Sequence, residues 1–153
     1  MKKTNAQLSK LFIALSPNEN DDTNKNFQLI CDSTSIVLNV SYNKQDSTYF
    51  CNNGETTSTI TGRTQSLSVS IDFDNAKESH KYLKSLLIGD AFAGNNQYIK
   101  LEIQLDEDNS WTTLTGKSCI QFKSIPPSGS PTELGKIEFD IFPQDSIWVW
   151  GKK

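Results

Sequence analysis

The chain has 153 residues and a formal net charge of −3, from 18 acidic and 15 basic side chains. That length suits one domain with a real core, and 8 Phe, 3 Trp and 4 Tyr are available to fill it. The charge excludes the basic footprint of a nucleic-acid binder, whose affinity rests on neutralising phosphates, and it is too mild for an acidic disordered chain.

The start, Met1-Lys2-Lys3-Thr4, is basic like a signal peptide. The apolar run Leu11-Phe12-Ile13-Ala14-Leu15 is nevertheless too short for a signal core, and no cleavage site follows. No stretch is long enough to span a membrane as a helix. Residues 8–16 predict a first strand, with Leu11, Ile13 and Leu15 on one face. The polar run 17–26, rich in Asn and Asp, predicts a turn or loop. Residues 27–31 predict a second strand with Phe27, Leu29 and Cys31 on one face, and 35–41 a third through Ile36, Leu38 and Val40. The Asp32-Ser33 step between them reads as a tight turn or a bulge.

Residues 43–54 form the longest stretch without clean periodicity, polar but carrying Tyr49, Phe50 and Cys51. A loop of that length inside a compact domain is usually functional or disordered, and its aromatic residues argue against pure disorder. A Thr-rich strand over 56–61 follows, and Gly62-Arg63 reads as a turn.

Residues 65–74 carry the clearest signal: Leu67, Val69, Ile71 and Phe73 alternate with Ser66, Ser68, Ser70 and Asp72. Successive strand side chains point to opposite faces, so this is a half-buried strand. The period then changes. Ala76, Tyr82, Leu83, Leu86 and Leu87 share one helical stripe over about 75–88. Asn75 and Glu78 have the spacing of a capping box, Lys81 and Lys84 suit the C-terminal end, and Gly89 suits the stop. Residues 90–96 read as a Gly/Asn loop. Ile99, Leu101, Ile103 and Leu105 then alternate with charged and polar residues, and 106–109 is an acidic turn. Residues 111–124 predict a strand bent at Gly116 with Ile120 and Phe122 inward. A Pro/Gly/Ser loop over 125–131 leads to a strand through Ile137, Phe139 and Ile141, ended by Pro143. Residues 147–150 form a short aromatic tail. Seven or so strands at this spacing, with one helix midway, predict a mainly β fold: an antiparallel sandwich or barrel with one flanking α-helix.

Catalytic signatures are lacking in the sequence. The single histidine, His80, reads as a surface or boundary residue of the helix. Cys31, Cys51 and Cys119 are odd in number and widely spaced, which fits reduced thiols and makes no metal constellation with one histidine. No nucleophile elbow, phosphate-binding glycine loop or zinc-protease motif is present. The acidic turn Asp106-Glu107-Asp108 lacks the order of ligands and closing Glu of a calcium loop. No cofactor is implied. Trp111, Trp148 and Trp150 allow an alternative reading, a β-sandwich binding carbohydrate through exposed tryptophans; core or subunit anchoring is their commoner use.

The run Thr56-Thr-Ser-Thr-Ile-Thr-Gly-Arg-Thr-Gln-Ser-Leu-Ser-Val-Ser-Ile-Asp-Phe-Asp74, followed by the helix, resembles the major tail (tail tube) protein of long, non-contractile-tailed bacteriophages. The strand, Pro/Gly loop and strand over 116–140 are similar too. The resemblance covers most of the chain as an order of elements and is specific over about 56–87. It implies a fold shared with tube proteins of contractile tails and type VI secretion. It implies a non-enzymatic virion protein, assembled in the bacterial host cytoplasm, that forms hexameric rings stacked into a hollow tube. DNA would pass through the tube without specific binding, and tape measure, terminator and distal tail proteins would be neighbours. The stretch 42–54 matches the family's loop that reaches a neighbouring subunit or ring, and the terminal arms are further contacts. Candidate interface residues are therefore Tyr42, Tyr49, Phe50, Trp148 and Trp150. A conduit that repels phosphate suggests an acidic lumen, for which Asp72, Glu102, Glu138 and Asp140 are the candidates.

Overall fold

The computed structural model describes residues 9–15, 27–104, 110–124, 135–145 and 147–152. The acidic turn at 106–109, the loop at 125–131, the polar run 17–26 and most of the N-terminal arm lie outside the described residues. The elements are β1 (Ser9–Ala14), β2 (Phe27–Leu29), β3 (Ser33–Thr48), β4 (Thr56–Asp72), α1 (Glu78–Leu87), β5 (Gln97–Ile103), β6 (Thr112–Ser124), β7 (Lys136–Pro143) and β8 (Val149–Lys152). All the strands join one antiparallel sheet in the order β2-β1-β5-β6-β7-β4-β3, and β8 adds to β6 beside β7. The fold is mainly β, as the alternation predicts, with a single α-helix among the described residues, and the sheet is not closed.

Register follows the hydrophobic alternation. Leu11 pairs with Leu101, Leu101 with Leu114, Ile120 with Ile141 and Ile141 with Leu67. These side chains share one face, and a one-residue slip would move the whole set into water. Leu83 of α1 joins that buried cluster, with Tyr82 and Leu86 packed against it.

The two edge strands of the sheet are joined by a short connection. β2 and β3 are its two outermost strands yet are consecutive in the chain, separated only by Ile30, Cys31 and Asp32. Across this junction the Ile30 N–H donates to Leu11 O at 2.8 Å, on one end of the sheet. The Asp72 N–H donates to Asp32 O at 3.0 Å, on the other. The Asp32-Ser33 step resolves into a left-handed Asp32, φ 59°, followed by a bulge at Thr34, where Ser33 pairs with Ile71 and Ser35 with Ser70. Aspartate tolerates that backbone better than most residues.

Several local expectations change. His80 is not a surface residue: it is fully buried. Its Nδ1 accepts the Asp74 N–H at 2.9 Å, so Nε2 carries the proton and donates to Cys31 O at 2.7 Å. Its ring stacks on Phe73 at 6.1 Å. The helix begins later than expected, with Lys77 as N-cap and no side-chain cap. Asp74 Oδ1 instead accepts the Ala76 N–H at 2.9 Å, so residues 74–77 form a turn that leaves Ala76 exposed. In β2 the expected face is reversed. Leu29 is exposed, Ile30 is the buried residue, and Phe27 lies on the polar side where the Lys100 ammonium sits 5.1 Å from its ring. Gly62 is not a turn; it lies inside β4 beside a bulge at Thr61, between the pairs Asn43–Gly62 and Lys44–Ile60.

Two tests follow from the junction and from the helix. Removing the imidazole in His80→Ala leaves a cavity and two unpaired backbone groups, and should cost about 2–4 kcal/mol in urea unfolding. His80→Gln, which keeps a donor and an acceptor, should lose less. The Tyr82 hydroxyl donates to Gln97 Oε1, and burial raises its pKa above 10.0. A raised folded value means that this contribution is complete below pH 10.0 and is lost as pH rises through the folded value. Alkaline melts should therefore fall more steeply for the native chain than for Tyr82→Phe.

Candidate assembly surfaces

The stretch expected as a loop is mostly strand. β3 runs to Thr48 and β4 starts at Thr56, paired almost throughout. β7 leaves β4 after the pair Leu67–Ile141, and beyond it the two strands continue alone as a ribbon. From Leu67 to Thr56 that ribbon spans roughly 35 Å at about 3.3 Å per residue. Core side chains do not support it. Hydroxyl bonds do: Thr48 Oγ1 with Thr56 Oγ1 at 3.1 Å, Thr57 Oγ1 to Ser47 O at 3.3 Å, and Ser58 Oγ to Asp46 Oδ1. This explains the missing periodicity, because a ribbon wet on both faces has no buried side to alternate against.

The tip is built. Phe50–Asn52 is one 3-10 turn, closed by Asn53 N–H to Phe50 O at 3.1 Å and Gly54 N–H to Tyr49 O at 3.3 Å. Asn53 and Gly54 take left-handed φ of 55° and 77°. Phe50 is 103% exposed, and Tyr49, Tyr42 and Ile60 are each more than half exposed. Tyr42 stands in phase with Ile36 and Leu38, on the face where the core has run out.

The two tryptophans of the candidate interface separate. Trp148 is 2% exposed; its Nε1–H donates to Ser118 Oγ at 2.9 Å, and its ring lies where a Cβ on Gly116 would be, at 2.5 Å from Cδ1. It is a core anchor, which corrects its place among the interface residues. Trp150, on β8, remains partly exposed opposite Leu114. Trp111 is half-buried with the Lys10 ammonium 5.1 Å from its ring, so the three tryptophans make no common platform for a sugar.

The candidate lumen carboxylates share the polar face but do not form a field of one sign. Asp140 lies 3.2 Å from Lys123, and Asp72 is in register with Lys136. Glu102 is 2% exposed and 3.6 Å from Lys100, so it is a buried ion-pair partner and not a surface charge. Glu138 is exposed, in register with Ser70. The carboxylates were visible in the sequence, as was Lys100 two residues before Glu102; Lys123 and Lys136, brought near Asp140 and Asp72 by strand pairing, were not.

Ile147 and Val149, in the C-terminal arm expected to make contacts, are exposed, and Ile60, Ile88 and Phe92 are exposed apolar residues that the sequence reading did not single out. For Ile60 and Phe92 the signal was an isolated large apolar residue in a polar stretch, Phe92 lying between Asp90 and Asn95; Ile88 continues the apolar run of Leu86 and Leu87. The three cysteines carry no disulfide. Among the described residues, no group of three or more His, Cys, Asp or Glu is arranged to hold a metal ion, and no helix is long and apolar enough to cross a membrane.

No protein-family model and no curated protein sequence matches the chain. Solved structures match it in fold over nearly its whole length. A chain from the tail of an empty gene transfer agent particle, a structure with C6 symmetry, aligns with a TM-score of 0.62 at 13% identity, covering 99% of both chains. A chain from the sheath/tube terminator of an extracellular contractile injection system, PVC, in the extended state, aligns with a TM-score of 0.59 at 10% identity, covering 99% of this chain and 98% of the other. A chain from the anti-feeding prophage tube-terminating cap gives 0.59 at 7% identity, covering 100% and 93%. The chain therefore shares the fold found in these tail and injection-system particles.

Proposed function

We propose that the chain is a structural tail-tube subunit. Its copies form rings, six to a ring, that stack into the hollow tube of a phage-like tail and pass DNA without binding it specifically. In this reading it has no catalytic role, works in the virion tail after assembly in the host cytoplasm, and meets tape measure, terminator and distal tail proteins at the ends. The observation that carries the reading is the β3–β4 ribbon. It leaves its own sheet with both faces wet and ends in a structured aromatic tip. A monomer has no use for a fully exposed Phe50 on a rigid arm, whereas an assembling subunit does. The end-to-end fold likeness to chains of tail and injection-system particles supports it. Tyr42, Tyr49, Phe50 and Trp150 are its proposed contact residues. The polar sheet face bearing Asp72, Glu138 and Asp140 is its proposed lumen wall. Lysines on that face offset the carboxylates, so the wall holds phosphate weakly and repels it weakly.

Negative-stain electron microscopy of the purified protein at high concentration, with tail-tip components added as nucleators, should show rings or hollow tubes of uniform diameter. Phe50→Asp should abolish them while shifting the melting temperature little, because the tip contributes nothing to the core. Assembly by the variant as good as the native chain's would remove the ribbon from the reading.

A further inference from the structure

The chain has one Asn-Gly pair, Asn53-Gly54, and it stands at the far end of the ribbon. Every other asparagine is followed by a residue with a Cβ, which hinders the next main-chain nitrogen. The Gly54 nitrogen is unhindered and can react with the side-chain carbonyl of Asn53. Both residues are exposed. The space beside Gly54 is open, with nothing within 4 Å of where a Cβ would stand.

We propose that Asn53 is a site of spontaneous covalent modification that the tip turn holds in check. The Gly54 nitrogen gives its proton to solvent base and bonds to Asn53 Cγ. The Cγ–Nδ2 bond breaks, and Nδ2 leaves as ammonia. Water then opens the resulting five-membered imide at either carbonyl, giving aspartate or isoaspartate. The folded turn opposes the first step in two ways. The Gly54 N–H is engaged by Tyr49 O at 3.3 Å. Asn53, at φ 55° and ψ 31°, also turns the Gly54 nitrogen away from its own Cβ, whereas ring closure needs the two on the same side. The reaction therefore runs through an opened tip. Opening is easy, because two backbone bonds of 3.1 and 3.3 Å close the turn and Phe50 is fully exposed. Isoaspartate lengthens the main chain by one carbon, so the turn cannot close again on the same bonds. Either product adds a negative charge beside Glu55, and the loss of ammonia makes the change one-way. The inference does not rest on the tube reading: it concerns what the tip does by itself as the protein ages.

The test is incubation of the full chain in mildly alkaline buffer, folded and in guanidinium chloride, with peptide mass spectrometry over residues 49–56. Conversion of amide to acid should appear at Asn53 ahead of every other asparagine, about 10-fold more slowly in the folded chain than in the unfolded one. Electron-transfer fragmentation should find both aspartate and isoaspartate. Asn53→Gln should remove the signal, because its imide ring is larger and closes slowly. Thr56→Val removes the Thr48–Thr56 hydroxyl bond next to the tip; it should speed the folded reaction about 3-fold and leave the unfolded rate unchanged. Equal rates in the folded and unfolded native chain would overturn the gating by the turn. Faster conversion at another asparagine, or none at Asn53 in the unfolded chain, would overturn the site. The folded-to-unfolded comparison uses the native sequence, so it does not depend on a variant folding.

Discussion

His80 satisfies two backbone groups that no β-ladder reaches and so ties α1 to the seam between the two outermost strands. One is the carbonyl of Cys31, at the junction where the chain leaves one end of the sheet for the other. The other is the N–H of Asp74, just past the end of β4. The junction has three residues, so the two outermost strands must approach each other, and the sheet can only curl. Curling puts Leu11, Ile99, Leu114, Phe139 and Val69 around one interior. It also leaves backbone polar groups at the seam, which cannot stay buried and unpaired. A side chain with one donor and one acceptor solves this, and its place on α1 fixes where the helix covers the core.

The same two strands serve opposite purposes along their length. Near the seam, Ile36, Leu38, Leu67, Val69 and Ile71 contribute to the core. Further on, serine and threonine replace them, and the ribbon is held by hydroxyls and ladder bonds. An isolated hairpin is marginal in water, and this one persists because its base is clamped in the sheet. The bulge at Thr61 adds twist part-way along, which sets the direction in which the tip points. Stability and presentation are thus separated along one pair of strands, and the tip can vary without cost to the core.

What could be read from the sequence follows from this division. β4 from Leu67, β5 and β7 were legible because each is buried on one face, and burial writes a period of two into the residues. The ribbon was not, because two wet faces erase that period; threonine content marked only its second strand. β2 is too short for alternation to choose a face, and Ile30, just outside it, makes the contact. Asn75 and Glu78 had the spacing of a capping box, but Asp74 engaged the backbone first and moved the helix start. The roles of His80, Lys123 and Lys136 were invisible for one reason: they depend on partners far away in the chain, such as Cys31, 49 residues from His80.

The C-terminal segment determines which strand edge of the sheet stays free. Pro143 ends the β7 ladder, Trp148 then fills the space over Gly116, and β8 pairs with β6 in the position that β7 vacates. β8 therefore does not continue alongside β4, and the outer edge of the ribbon stays open. An open edge invites pairing with any other strand. Here the exposed stretch is dense in Ser, Thr, Asn and Asp and low in apolar content, so pairing with it would bury little hydrophobic area. Among the described residues, the large apolar side chains more than half exposed are few: Tyr42 and Ile60 along the ribbon and Tyr49 and Phe50 at the tip, with Ile88, Phe92, Ile147 and Val149 on the body. The polar ribbon edge therefore resists edge-to-edge aggregation, and the exposed apolar side chains rather than the open ladder are the groups that association would bury.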